Sequence, residues 1–165
     1  MALDAKILIV SDSVHRGAAE DRSSGAIEAV LTGAGFTVVE RLVVPDGVQS
    51  VAGAVRRMAD GFAGLLVTTG GTGFGPRDLT PEGTVQVVER NAPGLAEAMR
   101  AANPKGRLSR GVAGIVDRCL VLNTPGSPGG AAESLQTVID VVPHALALLA
   151  GEQPHPHPQG GTGHG

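Results

Sequence analysis

Three short apolar runs, each followed at once by a loop of small and polar residues, constrain the fold most. The runs are KILIV (6–10), GLLVTT (64–69) and CLVLN (119–123). Runs of five or six such residues, bounded by turn signals, are typical of strands that are buried on both faces of a parallel sheet. Segments with helical spacing separate the runs. The alternation predicts an α/β protein with a mostly parallel sheet.

Turn and capping residues place the remaining elements. FTVVERLVV (36–44) is predicted as another strand, and residues 108–116 as a strand or hairpin. Helices are predicted from Ser23 or Ser24 as the N-cap to about residue 34, over 50–59, from Pro81 with Thr80 as the N-cap, over 94–102, and over 130–149 with a bend at Pro143.

Composition bounds the organisation of the chain and the classes of function. The chain has 165 residues, of which 42% are hydrophobic, so residues 1–151 are expected to form one domain with an aliphatic core. Residues 152–165, rich in Pro, His and Gly, are expected to be a disordered tail. Cys119 is expected to be a buried core residue. With no apolar run long enough for a membrane span and no signal-peptide pattern, a cytoplasmic protein is expected.

Nucleic acid is not an expected partner of this chain. Aromatic residues make up 2% of it, and the formal net charge is −3 at pH 7. Readers of single strands stack bases on aromatic side chains, and duplex binders need a basic surface. An anionic ligand would instead depend on local devices such as glycine turns, helix N-termini and a few arginines.

The segment TTGGTGFGPRDLTPEGT (68–84) is the strongest candidate for such a device. Four of its first eight residues are glycines, and glycine serves where the backbone needs positive φ or must come close to a ligand. The segment follows an apolar run, as SDS (11–13) and TPGSP (124–128) do, and ligands of open α/β sheets bind at the carboxyl ends of strands. Gly70 to Gly73 are therefore predicted to cradle an anion, and Asp78 to hold a divalent ion whose other ligands are phosphate oxygens. A plain structural turn, with Asp78 as a helix-capping partner, remains the alternative.

These motifs, together with SDSVHRGAAEDRSSG before them and LSRGVAG and NTPGSPGG after them, resemble the MoaB/Mog family of molybdenum cofactor biosynthesis. The family includes molybdopterin adenylyltransferases and the N-terminal domain of gephyrin. The resemblance covers about residues 6–151. It implies a three-layer sandwich around a mostly parallel sheet, usually assembled as a homotrimer, and it leaves open contact with other cofactor assembly enzymes.

The resemblance also implies a reaction and a site. The reaction is the transfer of AMP from Mg²⁺-ATP to molybdopterin, with release of pyrophosphate. Asp46, in the VPD turn, and Asp78 would be the catalytic acids that bind Mg²⁺. The substrate-binding residues implied are Ser11, Asp12, Ser13, Thr69, Gly70, Gly71, Thr72, Gly73, Arg77, Thr80, Arg110, Gly126, Ser127 and Pro128.

The chain departs from the family pattern at two places. Gly47 stands where many members carry a second acid, and the EDRSSG segment is one residue longer than usual. Two other functions therefore stay open. One is a molybdopterin-binding relative without turnover, and the other is a nucleotide-processing domain similar to CinA.

Overall fold

The computed structural model describes residues 2–152 and contains six strands and seven helices within that range. The strands are β1 (Asp4–Val10), β2 (Thr37–Val44), β3 (Gly64–Thr69), β4 (Arg90–Asn91), β5 (Ala113–Val116) and β6 (Cys119–Thr124). The helices are α1 (Asp12–His15), α2 (Ser23–Gly33), α3 (Val48–Ala59), α4 (Thr80–Val85), α5 (Pro93–Ala101), α6 (Pro128–Gln136) and α7 (Val142–Leu149), with a 3-10 helix (Pro104–Leu108) after α5. Residues 153–165 of the predicted tail lie outside the described residues.

The strands form one sheet in the order β2-β1-β3-β6-β5-β4. The pairs β1–β2, β1–β3 and β3–β6 are parallel, whereas β5 is antiparallel to both β6 and β4. The prediction of a mostly parallel sheet is therefore confirmed. The predicted strand or hairpin at 108–116 is partly right, because β5 and β6 form a hairpin that turns at Asp117 (φ 51°), but residue 108 belongs to the 3-10 helix.

Each face of the sheet packs against its own set of helices. Side chains alternate between the faces along a strand, and in β1 Ile7 and Ile9 belong to the larger core, which α2, α6 and α7 help to form. Leu8 and Val10 point to the opposite face and pack with Val55 and other residues of α3. The predicted three-layer architecture is confirmed. Among residues 2–152, no helix has the length and apolar character needed to cross a membrane.

Two predicted N-caps are wrong by one or two residues. Helix α2 begins at Ser23, but its first turn is capped from outside by Asp21, whose Oδ1 accepts the backbone N–H of Ser24 at 3.1 Å. A carboxylate satisfies an exposed helical N–H group at least as well as a serine hydroxyl. Helix α4 begins one residue early, with Thr80 inside the helix and Leu79 at the N-cap position.

The predicted helix over 130–149 is two helices rather than one bent helix. Helix α6 ends at Gln136, and the backbone then makes shorter-range bonds, such as Val141 N–H to Val138 C=O at 3.1 Å. Pro143 has no N–H group and cannot continue a helix, but its fixed φ suits the first turn of α7. The prediction correctly identified the proline but underestimated its effect.

Candidate active site

The loops after β1, β3 and β6 meet because these strands are neighbours in the sheet. Gly70, the first residue after β3, touches both other loops. Its N–H donates to the carbonyl of Thr124 at 3.1 Å, and a Cβ added to it would lie 2.2 Å from the carbonyl oxygen of Val10. Its φ is 99°, which side chains rarely tolerate. Only glycine fits at this junction.

Thr80 supports the glycine loop from beneath. It is fully buried, its Oγ1 donates to the carbonyl of Gly70 at 2.8 Å, and its N–H donates to the carbonyl of Gly71 at 3.0 Å. Gly71 has φ 69°, and a Cβ there would lie 2.2 Å from the Thr80 hydroxyl. The sequence expectation placed Thr80 among the substrate contacts, whereas its position in the structure is that of a support for the loop.

Asp78 lies inside the turn made by the second half of the loop. Its Oδ2 accepts the N–H of Gly75 at 2.8 Å. A Cβ added at Gly73 or Gly75 would lie within 2.9 Å or 2.8 Å of the same oxygen. The absence of side chains at these two positions therefore leaves room for the carboxylate. The other oxygen of Asp78 accepts no hydrogen bond from residues 2–152.

Asp46 is held by a reciprocal pair of bonds with Asp12. Asp46 Oδ2 accepts the N–H of Asp12 at 3.0 Å, and Asp12 Oδ1 accepts the N–H of Asp46 at 3.1 Å. Arg77 closes this arrangement, donating from Nε and Nη2 to the Asp12 carboxylate at 2.9 and 3.0 Å and from Nη2 to the carbonyl of Asp46 at 2.9 Å. The second carboxylate oxygen of Asp46, like that of Asp78, receives no hydrogen bond from the described residues.

The pKa values of the two acidic side chains of this network, Asp46 and Asp12, are shifted in opposite directions. Burial raises the pKa of Asp46, and the negative charges of Asp12 and Asp78 raise it further. The bond from Arg77 lowers the pKa of Asp12. A carboxylate that is partly desolvated and close to two others favours a neutralising partner such as a proton or a cation.

The residue after Asp46 is a glycine in a backbone conformation that suits glycine. Gly47 has φ 134°, a conformation that L side chains rarely adopt, and it occupies the N-cap position of α3. An acidic side chain at this position would be strained. Gly47 therefore matches the local shape of this turn.

Two adjoining pockets open at these loops. The first has a volume of ≈ 370 Å³, and the second has a volume of ≈ 630 Å³. Gly71, Asp78 and Gly126 line both pockets and so form their common wall. Asp46 lines the first pocket only. Two ligands bound side by side would meet at this wall, next to both acids.

The pockets gather most of the expected site residues but not all. The first is lined by Ser11, Asp46, Thr69, Gly70, Gly71, Asp78, Gly126 and Pro128, and the second by Gly71, Thr72, Gly73, Asp78, Gly126 and Ser127, from the expected set. Asp12, Ser13, Arg77, Thr80 and Arg110 line neither pocket. Ser13 contacts Ser11 (Oγ to Oγ 3.2 Å) behind the rim, and Arg110 lies behind the glycine loop.

Further lining residues were not expected from the sequence. Glu20, Asp21 and Arg22 line the first pocket, and the second includes Asn103, Lys105, Ser109 and Glu133. The second group comes from the 3-10 helix region and α6, which are adjacent only in the folded chain. The EDR run before α2 was a local signal, and the sequence analysis used it for the family resemblance without assigning its residues to the site.

The carboxylates of the site fit a magnesium ion whose coordination shell is completed by oxygen atoms of the substrates. Within residues 2–152, no group of three or more His, Cys, Asp or Glu side chains is arranged to hold a metal by itself. Mg²⁺ commonly takes only one or two protein carboxylates and fills its remaining positions with water and phosphate oxygens. Asp46 and Asp78, lining one pocket with a free oxygen each, meet that requirement.

Comparison with known proteins identifies the family. Residues 6–144 match the family model described as "Probable molybdopterin binding domain". The chain is 36% identical over 152 residues to a molybdopterin adenylyltransferase of Helicobacter pylori, covering 88% of this chain and 86% of that protein. Its fold matches the molybdopterin biosynthesis enzyme MoaB of Thermus thermophilus with a TM-score of 0.86 at 46% identity, covering 91% of this chain and 98% of the other.

A second solved structure agrees with this result. The molybdopterin biosynthesis Mog protein of Mycobacterium ulcerans is 41% identical, has a TM-score of 0.84, and is matched over 92% of this chain and 99% of its own. Both the sequence motifs and the fold therefore point to the same group. This chain belongs to the MoaB/Mog family of molybdenum cofactor biosynthesis proteins.

Proposed function

We propose that the protein is a molybdopterin adenylyltransferase, which transfers AMP from ATP to the terminal phosphate of molybdopterin in an Mg²⁺-dependent reaction. The observation that carries the proposal is the common wall of two pockets, built from Gly71, Asp78 and Gly126, with Asp46 beside it. A group transfer between two small molecules needs such adjoining sites. The activity named for the Helicobacter relative supports the same reaction.

The chemistry asks mainly for positioning and charge neutralisation. An oxygen of the molybdopterin phosphate attacks the α-phosphorus of ATP, a new P–O bond forms, and the bond to the bridging oxygen breaks, so that pyrophosphate leaves with its electron pair. The attacking oxygen is already ionised near neutral pH, so no side chain has to act as a nucleophile or to remove its proton. Holding the two phosphates in line and neutralising their charge together supply most of the rate enhancement.

The residues of the chain divide this work between them. The glycine loop lets its backbone approach an anion without obstruction by Cβ atoms. Asp46 and Asp78 would hold Mg²⁺, which when bound neutralises charge on the phosphates and on the departing pyrophosphate. Ser127 caps α6, accepting the N–H of Gly130 at 3.2 Å, and places the N-terminus of this helix at the second pocket. Its partial positive charge favours an anionic group there.

The test is incubation of the purified protein with molybdopterin, ATP and Mg²⁺, followed by mass detection of adenylylated molybdopterin and pyrophosphate. We expect both products in equal amounts and none when EDTA replaces Mg²⁺. ATP alone should give no pyrophosphate, because the acceptor is missing. Molybdopterin binding without product would support a binding-only protein, and nucleotide turnover without molybdopterin would support a CinA-like reaction instead.

A further inference from the structure

Arg110 makes a set of contacts that binding to a substrate does not explain. Its backbone N–H donates to the carbonyl of Thr72 at 2.8 Å, and its Nε donates to the carbonyl of Gly73 at 2.8 Å. Its Nη2 donates to the carbonyl of Asp78. One residue therefore holds the backbone of the glycine loop near its start and again at the catalytic acid.

Glu82 fixes the direction of this guanidinium group. Its carboxylate accepts from Nη1 of Arg110, and its other oxygen lies 3.5 Å from Nη2. All three guanidinium nitrogens of Arg110 consequently donate to groups of the protein itself. The planar fork of arginine suits this simultaneous contact with several acceptors, which a lysine ammonium cannot reproduce.

The segment between the held carbonyls needs such external support. Residues 73–77 (GFGPR) contain two glycines, and residues 74–77 are exposed. At its end the Arg77 side chain bonds to Asp12 and to the carbonyl of Asp46, whereas the backbone bond next to it, from Asp78 N–H to the carbonyl of Gly75 at 3.0 Å, is local. Glycines lose much conformational entropy when ordered, so an unsupported loop would let the Asp78 carboxylate move.

We infer that Arg110 is a positioning residue for Asp78, acting through the backbone of the glycine loop, and that it is not a ligand of either substrate. The inference rests on the proposed function for the role of Asp78. It also explains why Arg110 lines neither pocket although it lies within contact of the loop that lines both. Its partner Glu82, in the first turn of α4, belongs to the same support.

The first test compares Arg110→Lys with Arg110→Met. Loss of the fork should reduce adenylyl transfer by about tenfold to a hundredfold in both variants, the size expected for a slightly misplaced catalytic group. Affinity for molybdopterin should stay within about threefold, because no substrate contact is removed. The matched control is Arg56→Met, an exposed arginine of α3, which should behave as wild type. Recovery of activity by lysine, or loss of affinity equal to the loss of turnover, would overturn the inference.

The second test asks whether Arg110 acts through Asp78. If it does, the double variant Arg110→Met/Asp78→Asn should be no slower than Asp78→Asn alone, because the group being positioned has already lost its function. Losses that multiply would show an independent role for Arg110 and would contradict the proposal. Glu82→Gln, which keeps Arg110 and weakens its orientation, should show a smaller loss of the same kind.

A third measurement does not depend on catalysis. Amide hydrogen exchange at Asp78 and Thr80, whose N–H groups bond within the loop, should become faster in Arg110→Lys and Arg110→Met and remain unchanged in Arg56→Met. If the wild type yields no adenylylated product, the proposed function fails, but this comparison still decides whether Arg110 supports the loop. Equal exchange in all proteins would refute the support itself.

Discussion

Asp46 and Asp78 both line the first pocket, but different contacts hold them in place. Asp78 is enclosed by a glycine turn and bonded to Gly75, whereas Asp46 is bonded to the backbone of Asp12 and is partly desolvated. Charge loss at either residue should affect catalysis, and for Asp46 burial also raises the pKa of the carboxyl group. The two acids can be separated by experiment.

For Asp78, the predicted variant is Asp78→Asn. The amide oxygen can still accept the Gly75 N–H, so the fold and molybdopterin binding should be kept. Adenylyl transfer should fall by about a hundredfold or more, because charge at the metal matters most as negative charge develops in the transition state. Steady-state product formation measured by mass detection checks this. A rate within a few-fold of wild type would remove Asp78 from the metal site.

For Asp46, stability and activity should change in opposite directions. Its folded-state pKa lies above the ordinary value, so the folded protein binds the proton more tightly than the unfolded chain. Stability from Asp46 is therefore greatest at low pH and is lost as the pH rises through the folded-state pKa. We expect Asp46→Asn to unfold at a higher temperature than wild type at pH 7 without Mg²⁺, while adenylyl transfer falls.

The difference in unfolding temperature should shrink as the pH is lowered below the ordinary pKa of an aspartate, because Asp46 is then neutral in both states. Thermal unfolding at several pH values, with EDTA present, measures it. Glu97→Gln, at an exposed position of α5, is the control and should show no such trend. A lower unfolding temperature for Asp46→Asn at pH 7 would contradict the expected sign.

At the scale of the element, the glycines of the loop after β3 serve different purposes. Gly71 has positive φ and faces the Thr80 hydroxyl, so Gly71→Ala should lower the free energy of unfolding by about 1 kcal/mol or more. Gly73 has no such φ, and an added methyl group would press on the Asp78 carboxylate. Gly73→Ala should thus reduce turnover more than it reduces stability.

Chemical denaturation and product formation, measured on both variants, check this division. The matched control is Gly53→Ala, in the middle of α3 with no atom within 4 Å of the added methyl group. It should stabilise the protein by about 0.5–1 kcal/mol, since alanine favours the helix, and leave activity unchanged. Equal effects of Gly71→Ala and Gly73→Ala on stability would show that the loop has a single structural role.

At the scale of the whole molecule, the single chain leaves large apolar side chains on its surface. Phe74 is 71% exposed, and Leu108 and Val85 are 60% and 54% exposed. Such side chains become buried when identical chains associate with closed symmetry. We predict a homotrimer in solution, in line with the resemblance to the MoaB/Mog family. Sedimentation velocity at micromolar concentration checks it, and a stable monomer would contradict it.

Local sequence predicted the strands and the segment that lines both pockets. KILIV, GLLVTT and CLVLN became β1, β3 and β6, because short apolar runs can satisfy their burial only inside a sheet. The glycine-rich segment after β3 was expected to bind an anion because it follows an apolar run and precedes Arg77 and Asp78, whereas its glycines alone would also fit a plain turn. Asp46 and Asp78 were expected there from their motifs, and both line the first pocket. Capping was less predictable, since Asp21, Ser23 and Ser24 compete within four residues for one helix end.

Only the tertiary structure decided which groups the arginines bind and which residues line the second pocket. Arg77 was expected to contact substrate, yet it bonds to Asp12, 65 positions away, and Arg110 bonds to Glu82, 28 positions away. An arginine can donate to a phosphate or to the protein, and which acceptor it meets depends on distant segments that folding brings together. The same holds for Lys105, whose place in the second pocket follows from the packing of the segment after α5 beside the end of β6. The spacing of residues along the chain does not reveal these contacts, because they depend on the order of the strands and on how the helices cross the sheet.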